Sequence, residues 1–186
     1  MNRRTMVIAI AFALTVPGIA IGADKAKEQA EVKKAAQDAL GAVYKLQPSA
    51  RKAVESAAGY AAFSNFGMKI LVAGGGSGKG MAVNNKSKAT TYMKMAEVQA
   101  GLGIGIKKFQ LVWVFETEKA LNDFVNSGWE FGAQATAAAK GGDKGAAYQG
   151  AVAVAPGVWV YQVTDKGLAL ELTAKGTKYY KDSDLN

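Results

Sequence analysis

The chain has 186 residues, and its 49% hydrophobic and 20% charged side chains match a globular protein with one folded domain rather than a disordered chain. It holds no histidine and no cysteine, which excludes Ser–His and Cys–His nucleophile pairs, the usual zinc ligand sets and disulfides. The formal net charge of +8 favours anionic surfaces, although it is equally consistent with solubility alone.

The N-terminal residues have the pattern of a secretory signal peptide. Arg3 and Arg4 precede an uncharged apolar run over residues 6–16, which Pro17 interrupts. The segment 20–23 then supplies the small residues Ala20, Gly22 and Ala23. The apolar run is shorter than the roughly 18 to 20 residues that a membrane span requires. The order of charge, apolar run and small residues therefore predicts cleavage near Ala23.

This prediction divides the chain into a signal peptide over residues 1–23 and a single domain over residues 24–186. The mature protein is expected to be exported, either to the periplasm or out of the cell. Loss of Arg3 and Arg4, with no acidic residue removed, would lower the net charge from +8 to +6. Export also argues against nucleic acid as a partner.

Two helices are predicted at the start of the mature chain. Residues 24–46 are rich in Ala, Lys, Glu and Gln and contain no proline. Their apolar positions fall on one helical stripe, formed by Val32, Ala36, Ala39, Val43 and Leu46. Pro48 then opens a second, short helix that extends to about Ala57.

From Gly59 onward, short apolar runs alternate with glycine and polar segments, as in a sheet. Strands are predicted over residues 66–73, 81–83 and 90–96, with a glycine-rich turn over 74–80 and a loop over 84–87. The turn partly matches a phosphate-binding loop, because Gly78 and Lys79 fit its second half. Ala73 and Gly80 depart from that motif, which argues against a nucleotide hydrolase. The turn could still present Lys79 to a phosphate, or bind nothing.

The segment 98–116 has the strongest strand pattern. Its first part alternates glycine with apolar residues at positions 100–106, which would leave one strand face without side chains. Its second part places four large apolar residues on one face: Phe109, Leu111, Trp113 and Phe115.

The remaining elements complete an α+β architecture. Thr117 is expected to cap a helix over residues 117–126. A strand over 129–139, a turn over 140–145 and a hairpin follow, the hairpin strands being 158–164 and 168–173. The expected fold is two N-terminal helices followed by a curled, mostly antiparallel β-sheet with one internal helix.

Catalysis by carboxylates alone, as in glycosidases, remains possible with this composition. The acidic residues near the internal helix are interpreted as its solvated face and flanks: Glu116, Glu118, Asp123 and Glu130. We therefore predict a binding protein with no catalytic residue, no cofactor and no metal site.

Several segments, taken in order, resemble the SYLF family of lipid-binding domains. They are residues 59–67, 74–80, 101–106, 114–124, 131–135 and 176–180, and together they extend over most of residues 30–186. The resemblance implies binding of anionic phospholipids such as phosphatidic acid or phosphoinositides. Actin regulation, which is linked to eukaryotic relatives, requires the cytosol and fits an exported protein poorly.

The leading hypothesis is an exported protein that binds anionic phospholipid headgroups or a membrane surface through lysines. The candidate lipid-binding residues are Lys25, Lys27, Lys33, Lys34, Lys69, Lys79, Lys107 and Lys108. If the hypothesis is right, these lysines should share one exposed face. The alternative is a structural or stress-related envelope protein that acts through a protein partner. An exposed apolar patch formed by Trp129, Trp159 and Tyr161 would favour that alternative.

Overall fold

The computed structural model describes residues 18–70, 73–100, 105–131, 148–169 and 177–186. These residues contain three helices: α1 (Gly18–Leu46), α2 (Ser49–Ser56) and α3 (Glu118–Ser127). They also contain nine strands: β1 (Gly59–Ile70), β2 (Ala73–Asn84), β3 (Thr90–Ala100), β4 (Gly105–Phe115), β5 (Trp129–Phe131), β6 (Val152–Ala155), β7 (Val158–Thr164), β8 (Gly167–Ala169) and β9 (Thr177–Lys181). The predicted α+β class is confirmed, with α3 as the internal helix.

The described strands form one curled sheet in the order β5-β9-β3-β2-β1-β4-β7-β6, and β8 pairs with β7. The pairings are antiparallel, as predicted. The strand β1 lies in the interior of the sheet between β2 and β4. The strand β9 lies between β5 and β3, so residues 177–181 pair with a strand from the middle of the chain.

The two faces of the sheet carry separate apolar clusters, because side chains alternate along each strand. Ala62 and Val112 belong to the cluster that packs against α1 and α2, on what we call the α1 face. Phe63 and Trp113 belong to the cluster on the opposite side, which we call the α3 face. Phe124 of α3 packs into this second cluster and lies 5.1 Å from Trp113, measured between ring centroids. Helices therefore cover parts of both faces.

The helix α1 packs on the sheet through most of its predicted stripe. Four stripe residues are buried: Val32, Ala36, Ala39 and Val43. Leu46 is 45% exposed, so its assignment to the buried stripe is wrong. Because α1 ends at Leu46 and the chain then turns into α2, this side chain does not reach the sheet.

The glycine-rich residues 74–80 lie inside β2, and the turn predicted there is wrong. A Cβ at Gly80 would lie 2.3 Å from the backbone oxygen of Ala62, and one at Gly78 would lie 2.7 Å from that of Ser64. These glycines therefore allow β1 to approach closely and do not reverse the chain. As an interior strand, β2 pairs its backbone with β1 and β3 and does not form a phosphate-binding loop.

Three local predictions are confirmed. The short second helix follows Pro48 as α2. Thr117 precedes α3, and its Oγ1 accepts a hydrogen bond of 3.2 Å from the backbone nitrogen of Ala120. In the hairpin, Thr164 of β7 pairs with Gly167 of β8, where φ is +104° and favours glycine.

Some predictions fall outside the described residues. These are the glycine-alternating positions 101–104, the strand beyond Phe131, the turn over 140–145 and the hairpin strand beyond Ala169. The described part of the predicted strand 129–139 is β5. The helix α1 begins at Gly18 and includes Ala23, so predicted cleavage near Ala23 would shorten this helix at its start.

Candidate functional site

A transverse row of side chains lines a groove on the α1 face of the sheet. The antiparallel register places Lys79 of β2 directly opposite Lys94 of β3 and Ser64 of β1. The row continues to Gln110 of β4 on one side and to Tyr180 of β9 on the other. All five residues line an open groove of about 890 Å³.

The N-terminal half of α1 lies next to this groove. Glu28 and Glu31 of α1 line a smaller adjoining hollow of about 240 Å³. Ser64 and Lys79 line both the hollow and the groove. The helix and the sheet therefore contribute side chains of opposite charge to the same region.

The two neighbouring lysines of the row are like charges in directly opposed positions, which destabilises a sheet unless the charges are compensated. Lys79 forms an ion pair with Glu28 of α1. The Nζ of Lys94 lies 2.8 Å from a carboxylate oxygen of Asp182 and 2.9 Å from one of Asp184. Both aspartates follow β9, so two elements outside the lysine-bearing strands supply the compensating carboxylates.

The two ion-pair networks differ in their access to water. The Asp182 side chain is 1% exposed, whereas the Glu28 side chain is 39% exposed and that of Lys79 is 50% exposed. Hydrogen bonds with Asp182 and then with Asp184 raise the pKa of Lys94. The Lys94 network thus includes a buried carboxylate, that of Asp182, whereas both partners of the Lys79–Glu28 pair are in contact with solvent.

The C-terminal turn also connects α1 to the sheet. Lys25 Nζ donates a hydrogen bond of 2.9 Å to the backbone oxygen of Asn186, and Gln29 Nε2 donates one of 2.7 Å to that of Leu185. The Asn186 side chain accepts from the backbone nitrogen of Tyr92 at 2.9 Å and donates to its oxygen at 2.8 Å. Leu185 is buried. The turn therefore joins the first described part of α1 to β3.

The four predicted lysines of α1 do not all point the same way. Lys25 is partly buried and directed at the C-terminal turn. Lys27, Lys33 and Lys34 are exposed, and Lys34 lies 2.7 Å from Asp38 in an i,i+4 ion pair. Three of the four lysines are therefore in solvent, and one of those three is paired within the helix.

The four predicted lysines of the sheet are only partly described. Lys79 and Lys108 both line the groove. Lys69 lies in β1 and Lys107 in β4, but their side chains are outside the described residues. The structure thus brings two of the predicted lipid-binding residues together in one groove.

The sequence prediction missed Lys94, the third lysine of the groove. A signal for it was present in the predicted strand 90–96, where Tyr92 and Lys94 alternate with Met93 and Met95. In the structure both methionines are buried on the α3 face, which places Lys94 on the opposite face. Its two aspartate partners gave no comparable signal, because they lie far away in the chain.

The acidic residues near α3 have structural contacts. Trp159 Nε1 donates a hydrogen bond of 3.0 Å to Glu116, and the Tyr148 ring stacks on Trp159 with centroids 4.5 Å apart. Burial, followed by a hydrogen bond with Glu116, raises the pKa of Tyr148 to about 12. Glu118 and Asp123 are exposed, as predicted, and Asp123 lies 2.6 Å from Lys119.

The aromatic patch that would favour a protein partner is not formed by its described members. Trp159 and Tyr161 are both buried, in the cluster on the α1 face. The side chain of Trp129 lies outside the described residues. These two aromatic residues therefore stabilise the core and do not offer a docking surface.

Two further features bound the chemistry of the described part of the chain. It contains no cluster of three or more acidic side chains placed to hold a metal ion. None of its helices combines the length and apolar character that crossing a bilayer requires.

Comparison with known proteins gives two matches. Residues 96–186 match the family model of Ysc84, described as a Las17-binding protein actin regulator. The chain is also 35% identical over 152 residues to Beta cell expansion factor A of Aeromonas veronii. This alignment covers 81% of the chain and 56% of the relative, so the chain spans about half the length of that curated protein.

Proposed function

We propose that this chain, which carries a domain of the Ysc84 (SYLF) family over residues 96–186, binds the surface of anionic phospholipid membranes. The family suggests binding of lipid or actin-regulator-like binding. A surface that attracts phosphate groups needs cationic side chains at one place. The convergence of Lys79, Lys94 and Lys108 on one groove is the observation that supports the lipid proposal.

The charge of the whole protein acts in the same direction. A net charge of +8, or +6 after loss of the predicted signal peptide, attracts anionic bilayers over a distance set by ionic strength. Each lysine near such a surface contributes about 1 kcal/mol to binding. Lys27 and Lys33 are exposed and form no ion pair with a described residue, so they are available for this general attraction.

The proposed place of action is the cell envelope or the exterior, as predicted from the N-terminal 23 residues. Export would bring the protein to membrane surfaces rich in anionic lipid. Expression of the full chain in a bacterial host, with fractionation of periplasm and cytoplasm and mass spectrometry of the N-terminus, tests this. A mature N-terminus near Asp24 in the periplasm or medium supports it, and a full-length cytoplasmic protein contradicts it.

Co-sedimentation with vesicles tests the lipid proposal. Vesicles of neutral phosphatidylcholine are compared with vesicles that also contain phosphatidic acid or phosphatidylglycerol, at low and at physiological salt. We expect binding that requires anionic lipid and weakens with salt. Absence of binding to every vesicle composition would refute the proposal. Co-sedimentation with filamentous actin then tests the other activity that the family suggests.

A further inference from the structure

The start of α1 is attached to the rest of the molecule by polar contacts. None of the described side chains from Gly22 to Glu31 is buried, and Val32 is the first that is. This segment, which we call the α1 arm, is held by the bonds from Lys25 and Gln29 to the C-terminal turn. The ion pair between Glu28 and Lys79 is its contact with the groove. Because none of these side chains is buried in the core, such a segment detaches at low cost.

Glu28 places an anionic group on a groove lysine. Its carboxylate accepts a hydrogen bond from Lys79 Nζ, at the wall of the groove. By contrast, Lys94 is held by two aspartates, one of them buried. Of these two lysines, Lys79 is therefore the one whose partner can leave without uncovering a buried charge. An ion pair this exposed contributes little to stability.

We propose that a phosphate group binds in the groove at Lys79 by displacing Glu28, so that ligand binding and docking of the α1 arm exclude each other. The proposal rests on the proposed function, because it names the site at which the headgroup of an anionic lipid binds. A phosphate offers more acceptor oxygens than a carboxylate and up to two negative charges, so it competes well for the lysine.

The composition of the groove fits a phosphate attached to an apolar molecule. Ser64, Ser77 and Gln110 offer hydrogen-bond donors along the lysine row. Val163, opposite Gln110, and the exposed ring of Tyr180, opposite Lys94, add apolar surface to the same groove, which a free phosphate ion would leave uncovered. This combination favours a lipid headgroup over an inorganic ion as the source of the phosphate.

A first experiment compares two variants with the same net charge in their binding to vesicles that contain phosphatidic acid. Lys79→Gln and Lys45→Gln each remove one positive charge, but Lys45 lies on the exposed side of α1 away from the groove. We expect Lys79→Gln to weaken binding about tenfold, as for loss of a charge-assisted hydrogen bond. The Lys45→Gln variant should lose no more than the roughly fivefold effect of a lysine near a surface. Equal losses would overturn the groove proposal and leave the proposed function standing.

A second experiment removes the charge of Glu28, the carboxylate that competes with phosphate for Lys79. Glu28→Gln and Glu118→Gln each remove one negative charge, and Glu118 lies in the first turn of α3, on the other face of the sheet. We expect Glu28→Gln to strengthen vesicle binding about fivefold beyond the gain of Glu118→Gln, since the exposed ion pair no longer competes. An equal gain in both variants would show that net charge alone controls binding, which contradicts the proposal.

A third experiment measures detachment of the α1 arm directly, by amide hydrogen exchange over residues 22–31. In the wild-type protein, vesicles with phosphatidic acid should accelerate exchange in this segment, and the Glu28→Gln variant should exchange faster before lipid is added. Exchange that stays unchanged, or slows, on binding would overturn the displacement. Soluble glycerol phosphate serves as a second ligand in the same measurement.

Comparison of the two ligands distinguishes failure of the groove proposal from failure of the membrane-binding proposal. Acceleration by glycerol phosphate without vesicle binding would keep the groove as a phosphate site and refute the membrane function. Vesicle binding that is insensitive to Lys79→Gln would refute the groove as the phosphate site and leave the membrane function standing. If neither ligand binds the wild-type protein, both proposals are refuted.

Discussion

The carboxylate of Asp182 lies 2.8 Å from the ammonium group of Lys94, and this aspartate is almost completely buried. The contact joins the residue directly after β9 to the middle of β3. It also fixes one of two opposed lysines, so that Lys79 alone of this pair depends on α1 for its compensating charge.

Removal of the lysine from this contact should destabilise the fold. Lys94→Gln leaves the buried carboxylate of Asp182 without its cation, and we expect the free energy of unfolding to fall by about 2 kcal/mol. The value lies below the full cost of breaking a buried pair because Lys94 retains contact with solvent. Urea denaturation followed by circular dichroism measures it. Asp184→Asn, which alters the exposed partner, should leave the midpoint nearly unchanged; equal effects would contradict this account.

The aromatic cluster on the α3 face should depend strongly on α3. Phe124 is fully buried, and its ring centroid lies 4.9 Å from that of Phe115 and 5.1 Å from that of Trp113. Phe124→Ala should therefore lower the free energy of unfolding by about 3–5 kcal/mol. Asn122→Ala, on the exposed side of the same helix, should change it by no more than about 0.5 kcal/mol. Comparable urea midpoints for the two variants would show that α3 does not anchor the cluster.

Two glycine substitutions should change stability in opposite directions. Gly80→Ala places a Cβ 2.3 Å from the Ala62 backbone oxygen and should cost about 3 kcal/mol or prevent folding. Gly41→Ala lies in α1, where an added Cβ meets nothing within 4 Å, and should stabilise the protein by about 0.5–1 kcal/mol. Thermal unfolding of both variants checks the pair. A stable Gly80→Ala protein would contradict the close approach of β1 and β2.

Alkaline pH should destabilise the protein through three tyrosines that folding buries wholly or in part. Burial raises the pKa of Tyr44, Tyr148 and Tyr161 from 10.0 to about 12. Because the folded-state pKa is the higher one, the resulting stability is complete below pH 10 and is lost as the pH rises towards 12. Tyrosinate absorbance should show late-titrating groups in the folded protein that titrate near 10 in urea. A single transition near 10 without urea would contradict this burial.

Elements with a repeating local pattern could be predicted from the sequence. The stripe from Val32 to Val43 and the Thr117 cap each depend on residues close together in the chain. The glycines of β2 could not be interpreted in the same way. Glycine is favoured both in a turn that needs positive φ and in a strand whose neighbour's backbone approaches closely. Composition alone does not distinguish these two cases. Residues 74–80 were therefore predicted as a turn.

The groove could be predicted only in part because its partners meet through strand register. Lys79 and Lys108 were candidate residues, because the lipid-binding hypothesis assigned lysines of the sheet to phosphate groups. The pairing of Lys79 with Glu28 joins residues 51 positions apart, and that of Lys94 with Asp184 joins residues 90 positions apart. A local sequence pattern does not extend over such separations. The carboxylates that compensate the two lysines could therefore be identified only in the folded structure.

The position of β9 beside β3 has a consequence for how the protein reaches its folded state. The edge of β3 acquires its partner only when residues 177–181, at the C-terminal end of the chain, have been synthesised. Until then this edge of β3 lacks the partner that it has in the folded sheet, and because pairing over so long a loop is slow, we expect closure of the edge to be a late step of folding.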